Sequence, residues 1–284
     1  MPIDFDKLMA YPIPEGVQDM NARDVILYGL GIGLGQDPMD KKQLQYIYED
    51  GLVAFPSMAV VLAGPGFWVK EPDTGVDWVK VLHGEQGMEL HKPIPTSGKL
   101  TGKSRMLDII DKGAGKGALL LQERVVYDES GDKVCTLTST TFARGNGGEG
   151  GSGNEAPAPH KLPDRDPDGS VELTTRPEQA LIYRLSGDYN PLHADPDVAT
   201  AANFKQPILH GLCTWGVACH ALVKAVCDYD SSRLKSVKLR FSSPVYPGET
   251  IRTEYWNDGN QVSFRAFVVE RDVMVLNNGL AVID

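Results

Sequence analysis

In the second half of the chain, apolar and polar residues alternate with a period of two. Val237, Leu239 and Phe241 interleave with Lys238 and Arg240, and Val262, Phe264, Ala266 and Val268 repeat the pattern. Such alternation predicts strands buried on one face only. Between residues 212 and 226 the pattern changes to an unbroken apolar and small-residue run without proline, which predicts a helix buried all round. The first half repeats the order: an apolar stretch from Phe55 to Phe67 precedes predicted strands near 76–82, 87–94, 99–112, 117–127 and 132–144. Gly64-Pro65-Gly66 interrupts that stretch, and such a sequence breaks a regular helix. The pattern alone supports an α+β class built from two similar halves.

Residues 145–169 contain Gly145, Gly147, Gly148, Gly150, Gly151 and Gly153, then Pro157, Pro159, Pro163 and Pro167, with almost no large apolar side chain. This is the composition of a flexible, then extended linker. It divides the 284 residues into an N-terminal half, 1–144, and a C-terminal half, 170–284, each long enough for its own core.

With 38 acidic against 28 basic residues the formal charge is -10, which offers no footprint for nucleic acid or an anionic membrane. A phosphate-bearing ligand therefore needs a local basic patch. No apolar run approaches the ~20 residues that span a bilayer, and Met1-Pro2-Ile3-Asp4-Phe5-Asp6 has no signal-peptide character. The ending Leu280-Ala281-Val282-Ile283-Asp284 lacks a Ser-Lys-Leu type of address, so the cytoplasm is expected, with the peroxisome as the alternative. Cys135, Cys213, Cys219 and Cys227 form no Cys-X-X-Cys pair, and three of them fall in one predicted helix; reduced, buried thiols are expected. Gly98 to Ser104 has three residues between its glycines where a phosphate loop needs four, and Gly29, Gly31, Gly33 and Gly35 lack dinucleotide-binding spacing. The histidines are scattered without ligand spacing, so no metal is expected.

Chemistry concentrates in Tyr183-Arg184-Leu185-Ser186-Gly187-Asp188-Tyr189-Asn190-Pro191-Leu192-His193. A carboxylate, an amide and an imidazole lie around a Gly and a Pro, the makings of a rigid loop in which Asp188 and His193 converge on one water or proton. Taken alone, Asp188 and Asn190 would more simply make an Asx turn and a helix cap. A second cluster, Pro207-Ile208-Leu209-His210-Gly211-Leu212-Cys213-Thr214, turns the balance toward function.

Together these segments resemble the hydratase 2 family, the MaoC-like, R-specific enoyl-CoA hydratases. The resemblance extends from Arg23-Asp24-Val25 through Leu82-His83-Gly84-Glu85-Gln86 to Pro244-Val245-Tyr246-Pro247-Gly248, and looks closest to the hydratase 2 unit of peroxisomal multifunctional enzymes. It implies a tandem, double hot dog fold, an antiparallel sheet around a long central helix in each half, with the first half degenerate and accommodating the acyl chain.

It also implies reversible hydration of trans-2-enoyl-CoA to (3R)-3-hydroxyacyl-CoA in fatty-acid metabolism, without a cofactor beyond the coenzyme A of the substrate. Asp188 and His193 would share the water and proton transfers, in an order the residues leave open. Asn190 would hold the water or His193 in register, and the Gly211 N–H would meet the thioester oxygen at a helix start. Glu85 is a candidate supporting acid, and Arg184, Lys205, Lys238 and Arg240 are candidates for the phosphates of coenzyme A. His210 reads as a histidine that packs beside the helix start or supports a neighbouring site residue without touching the substrate. The rivals are an acyl-carrier-protein dehydratase, disfavoured by the acidic chain, a hot dog thioesterase, and a non-catalytic acyl-CoA binding module. Free edge strands point to a homodimer.

Overall fold

The computed structural model describes residues 3–284. Its strands are β1 (Gly16–Met20), β2 (Val81–Leu90), β3 (Gly98–Asp111), β4 (Ala118–Tyr127), β5 (Lys133–Ala143), β6 (Gly169–Thr174), β7 (Leu234–Phe241), β8 (Thr250–Asp258), β9 (Gln261–Val268) and β10 (Val273–Ile283). The helices are α1 (Phe5–Met9), α2 (Ala22–Gly31), α3 (Lys41–Leu44), α4 (Gln179–Tyr183), α5 (Pro196–Ala201) and α6 (Gly211–Val226). Among the described residues no helix is long and apolar enough to cross a membrane.

All strands join one 10-stranded sheet in the order β1-β3-β4-β5-β2-β7-β10-β9-β8-β6. Read outward from the β2–β7 junction, each strand of the first half matches the strand five places later in the second. The halves are therefore two copies of one topology, and their sheets fuse where Glu85 to Glu89 pair antiparallel with Arg240 to Ser236. This is the double hot dog arrangement. The alternation foreseen for β7 is present: Leu234, Val237 and Leu239 are buried, and Phe241 packs against the same core.

In the second half the sheet curls round α6, whose residues Cys213 to Val223 are buried. Cys213 and Cys219 belong to this helix, whereas Cys227 is its C-cap; all four cysteines are buried free thiols. Burial raises the thiol pKa of Cys135 to about 12 and of Cys227 to about 11.

The first half differs. Where the hot dog plan calls for a central helix, Pro56–Val61 is a short 3-10 turn followed by irregular chain, although Phe55 to Val60 are buried. The break at Gly64-Pro65-Gly66 is reinforced from outside the segment. Ala63 adopts a left-handed φ of 43, its N–H donates to Gln18 Oε1 at 2.8 Å, and its carbonyl fits between two glycines of the sheet. A Cβ on either Gly16 or Gly102 would sit 2.1 Å from that oxygen. Most of the strand expected at 76–82 is likewise replaced, by a 3-10 turn at Trp78–Lys80, so β2 starts only at Val81.

The link between the halves carries no helix or strand until β6 begins at Gly169. It is fastened at both ends. Asp111 accepts the N–H groups of Gly148 and Gly150, and Asn154 donates to Asp108. Beyond this, His160 pairs with Ser263 and its carbonyl accepts from Asn278. Pro157 to His160 cover a cavity of about 260 Å³ on the outer face of the sheet at the junction of the halves.

Candidate active site

After α4 the chain makes a 3-10 turn at Arg184–Ser186, reverses at Gly187 with φ 122, and makes a second 3-10 turn at Pro191–His193. Two side chains shape the reversal. Asp188 Oδ1 accepts from the Asn190 N–H at 3.2 Å, and Asn190 Oδ1 accepts from the Leu192 N–H at 3.1 Å. The Asx turn and the cap read from the sequence are both present, and together they lift His193 to where Asp188 is.

The protonation of the two nearby histidines follows from their partners, because a carbonyl can only accept. His193 Nδ1 donates to the Ile208 carbonyl at 2.9 Å, leaving the Nε2 lone pair free in the neutral ring. His210 Nε2 donates to the main-chain carbonyl of Asp188 at 3.1 Å, and its Nδ1 is sealed without a partner among the described residues. The two rings stack with centroids 3.7 Å apart, and Tyr183 closes against His210 at 5.1 Å. Burial lowers the pKa of His193, opposed by the Ile208 carbonyl and the Asp188 charge. His210 is pushed down to about 4 by burial first and by His193 second. Near neutral pH both rings are uncharged bases.

Asp188, His193 and His210 bring one ligand atom each within 4.8 Å of the others. Spacing along the sequence does not show this cluster, since His210 reaches it only when α6 docks. As a metal centre it fits poorly. Stacked rings direct their in-plane lone pairs side by side, whereas an ion needs them to converge.

The start of α6 supplies the remaining element. His210 is its N-cap without a side-chain capping bond, while Cys213 and Thr214 N–H both turn to the His210 carbonyl. The N–H groups of Gly211 and Leu212 have no acceptor among the described residues. They form a free, positively polarised helix end beside Asp188 and His193. A Cβ at Gly211 would lie 3.4 Å from the Phe241 ring, so the glycine keeps the space between them open. Phe241 in turn lies 4.8 Å from the ring of His83, which brings the first half up to the site.

Glu85, Lys238 and Arg240 are not part of this cluster. Strand alternation turns Lys238 and Arg240 away from Leu239 and Phe241, toward the outer face under the linker. Arg240 is held there by Glu85, which also accepts from Thr140. The basic residues expected to meet coenzyme A thus divide. Arg184 lies over the Tyr189 ring at 5.1 Å within the loop that carries Asp188 and His193, and Lys205 over Tyr246 at 4.3 Å. Neither has a carboxylate partner among the described residues. His83 and Phe241 were not singled out by sequence reasoning, because only the pairing of β2 with β7 brings them to the loop.

Residues 159–278 match the model of the MaoC like domain, and residues 19–145 that of the MFE-2 hydratase 2 N-terminal domain. The peroxisomal enoyl-CoA hydratase 2 of Arabidopsis thaliana is 40% identical over 95% of this chain and 93% of its own. Peroxisomal multifunctional enzyme type 2 of Mus musculus is 39% identical over 89% of this chain, which spans 35% of that longer enzyme. The crystal structure of a MaoC-like dehydratase from Phytophthora capsici superimposes with a TM-score of 0.88 at 39% identity, covering 99% of this chain and 98% of that one.

Proposed function

Because the chain belongs to the MaoC-like hydratase 2 family, we propose that it reversibly hydrates trans-2-enoyl-CoA to (3R)-3-hydroxyacyl-CoA. The observation that carries this reading is the meeting of Asp188 and His193 beside the open N-terminus of α6. Hydration needs a water aimed at Cβ, a proton for Cα, and donors for the thioester oxygen as enolate charge builds.

The thioester carbonyl sits against the Gly211 and Leu212 N–H groups, whose dipoles strengthen as the oxygen gains charge. A water lies between the Asp188 carboxylate and His193 Nε2. The pair starts as a carboxylate and a neutral imidazole, so the proton that one group takes from the water as its oxygen joins Cβ is the proton handed through the pair to Cα, and both groups end as they began. Asn190 acts indirectly, by fixing the turn that presents His193. Arg184 and Lys205 are the basic groups available to the phosphates of coenzyme A, with no cofactor beyond the substrate. A homodimer through the edge strands β1 or β6, and work in the cytoplasm with the peroxisome as alternative, belong to the same proposal.

The test is hydration of crotonyl-CoA, followed by loss of conjugated-enoyl absorbance and by chiral analysis of the product. The expected product is the (3R) alcohol. Formation of free coenzyme A would point instead to a thioesterase, and binding without turnover to an acyl-CoA module. The same substrate on an acyl carrier protein separates a carrier-linked dehydratase from the enzyme proposed here.

A further inference from the structure

One cation on the inner side of the first half has no counter-charge. Arg124 on β4 lies two residues from buried Val126, and it points into the space that a central helix would have filled. Its Nη2 donates to the Val60 carbonyl at 2.7 Å. Its Nε is sealed without an acceptor, and among the described residues no carboxylate lies within ion-pair distance. A Cβ at Gly64 would come 2.8 Å from Nη1, so the irregular chain leaves that nitrogen its room. The side chain keeps some accessible surface, yet its surroundings are dense enough that burial lowers its pKa to about 10. Retaining an enclosed, unpaired charge is unfavourable unless a partner of opposite sign arrives.

Arg124 is also connected to the chemistry. Burial lowers the pKa of His83 to about 4, and the smaller effects of Asp188, which raises it, and Arg124, which lowers it, show that both charges reach this ring. The segment whose Val60 carbonyl Arg124 holds also contributes Met58 to a crevice of about 40 Å³ shared with Leu185 and Ser186 of the catalytic loop. An acyl chain leaving the thioester site along this segment approaches the guanidinium.

We propose that Arg124 is a specificity-determining residue that receives a carboxylate at the far end of the acyl chain, so that the preferred substrates are trans-2-enoyl-CoA thioesters of dicarboxylic acids. This rests on the hydratase reading, and crotonyl-CoA, too short to reach Arg124, serves as the internal control. The experiment measures kcat/KM for two series of trans-2-enoyl-CoA of stepped chain length, one ending in methyl and one in carboxylate, with wild type, Arg124→Met and Arg124→Lys.

At one chain length the carboxylate series should be favoured by about tenfold or more, within the range that one pocket contact can supply. Arg124→Met should lose that preference and keep crotonyl-CoA turnover within about twofold, while Arg124→Lys should retain part of it. A wild type that prefers methyl-ended chains at every length, or a preference that survives in Arg124→Met, overturns the proposal. Should Arg124→Met fail to fold, the Arg124→Lys variant decides: a carboxylate preference undiminished in it, or a wild type indifferent to the carboxylate at every length, overturns the proposal. Absence of crotonyl-CoA hydration by wild type would instead strike the hydratase reading itself.

Discussion

At the residue scale, the hydration proposed above has two side chains, Asp188 and His193, serve one transition state. Asp188→Asn and His193→Gln keep the shape of the loop but remove acid-base capacity, so each should lower crotonyl-CoA turnover by ~100-fold or more. The double variant should be little worse than either single one, as for groups that act as a unit. Turnover near wild type in a folded single variant would refute the assignment. The motif made this pair legible from the sequence. It did not reveal His210, whose stacking on His193 and bond to the Asp188 carbonyl arise only in the folded chain. A second consequence concerns acid. His210 and His220 are buried, and their pKa values are lowered to about 4, so the folded state resists protonation that the unfolded chain accepts near 6.5. Stability should therefore be full above pH 6.5 and decline as the pH falls from 6.5 toward 4, by a few kcal/mol in total. Urea midpoints across that range test this, and a flat profile would contradict it.

At the element scale, the strands of the second half could be read because one face is buried and the other is not, which leaves a period of two in the chain. The run of α6 was legible for the opposite reason: Cys213 to Val223 are buried on every side, which leaves an unbroken apolar stretch in the chain. The first half was harder to read, since Phe55 to Val60 is as apolar as a central helix would be. What makes the segment irregular lies elsewhere, in Gln18, Gly16, Gly102 and Arg124. The short edge strand β1 was missed, being only five residues long. A direct check is Gly102→Ala. Its Cβ would fall 2.1 Å from the Ala63 oxygen, a main-chain atom that cannot swing aside, so a loss of about 1–3 kcal/mol in stability is expected. An unfolding midpoint equal to wild type would mean that the first-half segment adapts freely.

At the scale of the whole molecule, the two halves meet through a continuous sheet, and the linker only spans them. Residues 155–159 are exposed and make no hydrogen bond among those described, whereas the stretch before them is pinned by Asp111 and Asp108. Limited proteolysis should cut within 155–159 first and leave one species of unchanged size on gel filtration, still active. Separation into two fragments would place the cohesion in the covalent link instead. The mirrored strand order has a further consequence. When a symmetric pair is assembled from identical chains, every substitution is written twice, so a change that remodels one groove remodels the other and its catalytic loop with it. Joining both copies in one chain removes that constraint. One copy keeps the loop around Asp188 and His193 while its twin has a short 3-10 turn in place of the central helix and holds an arginine, so that under the proposals made above a change in chain preference can be inherited without a change in the reaction.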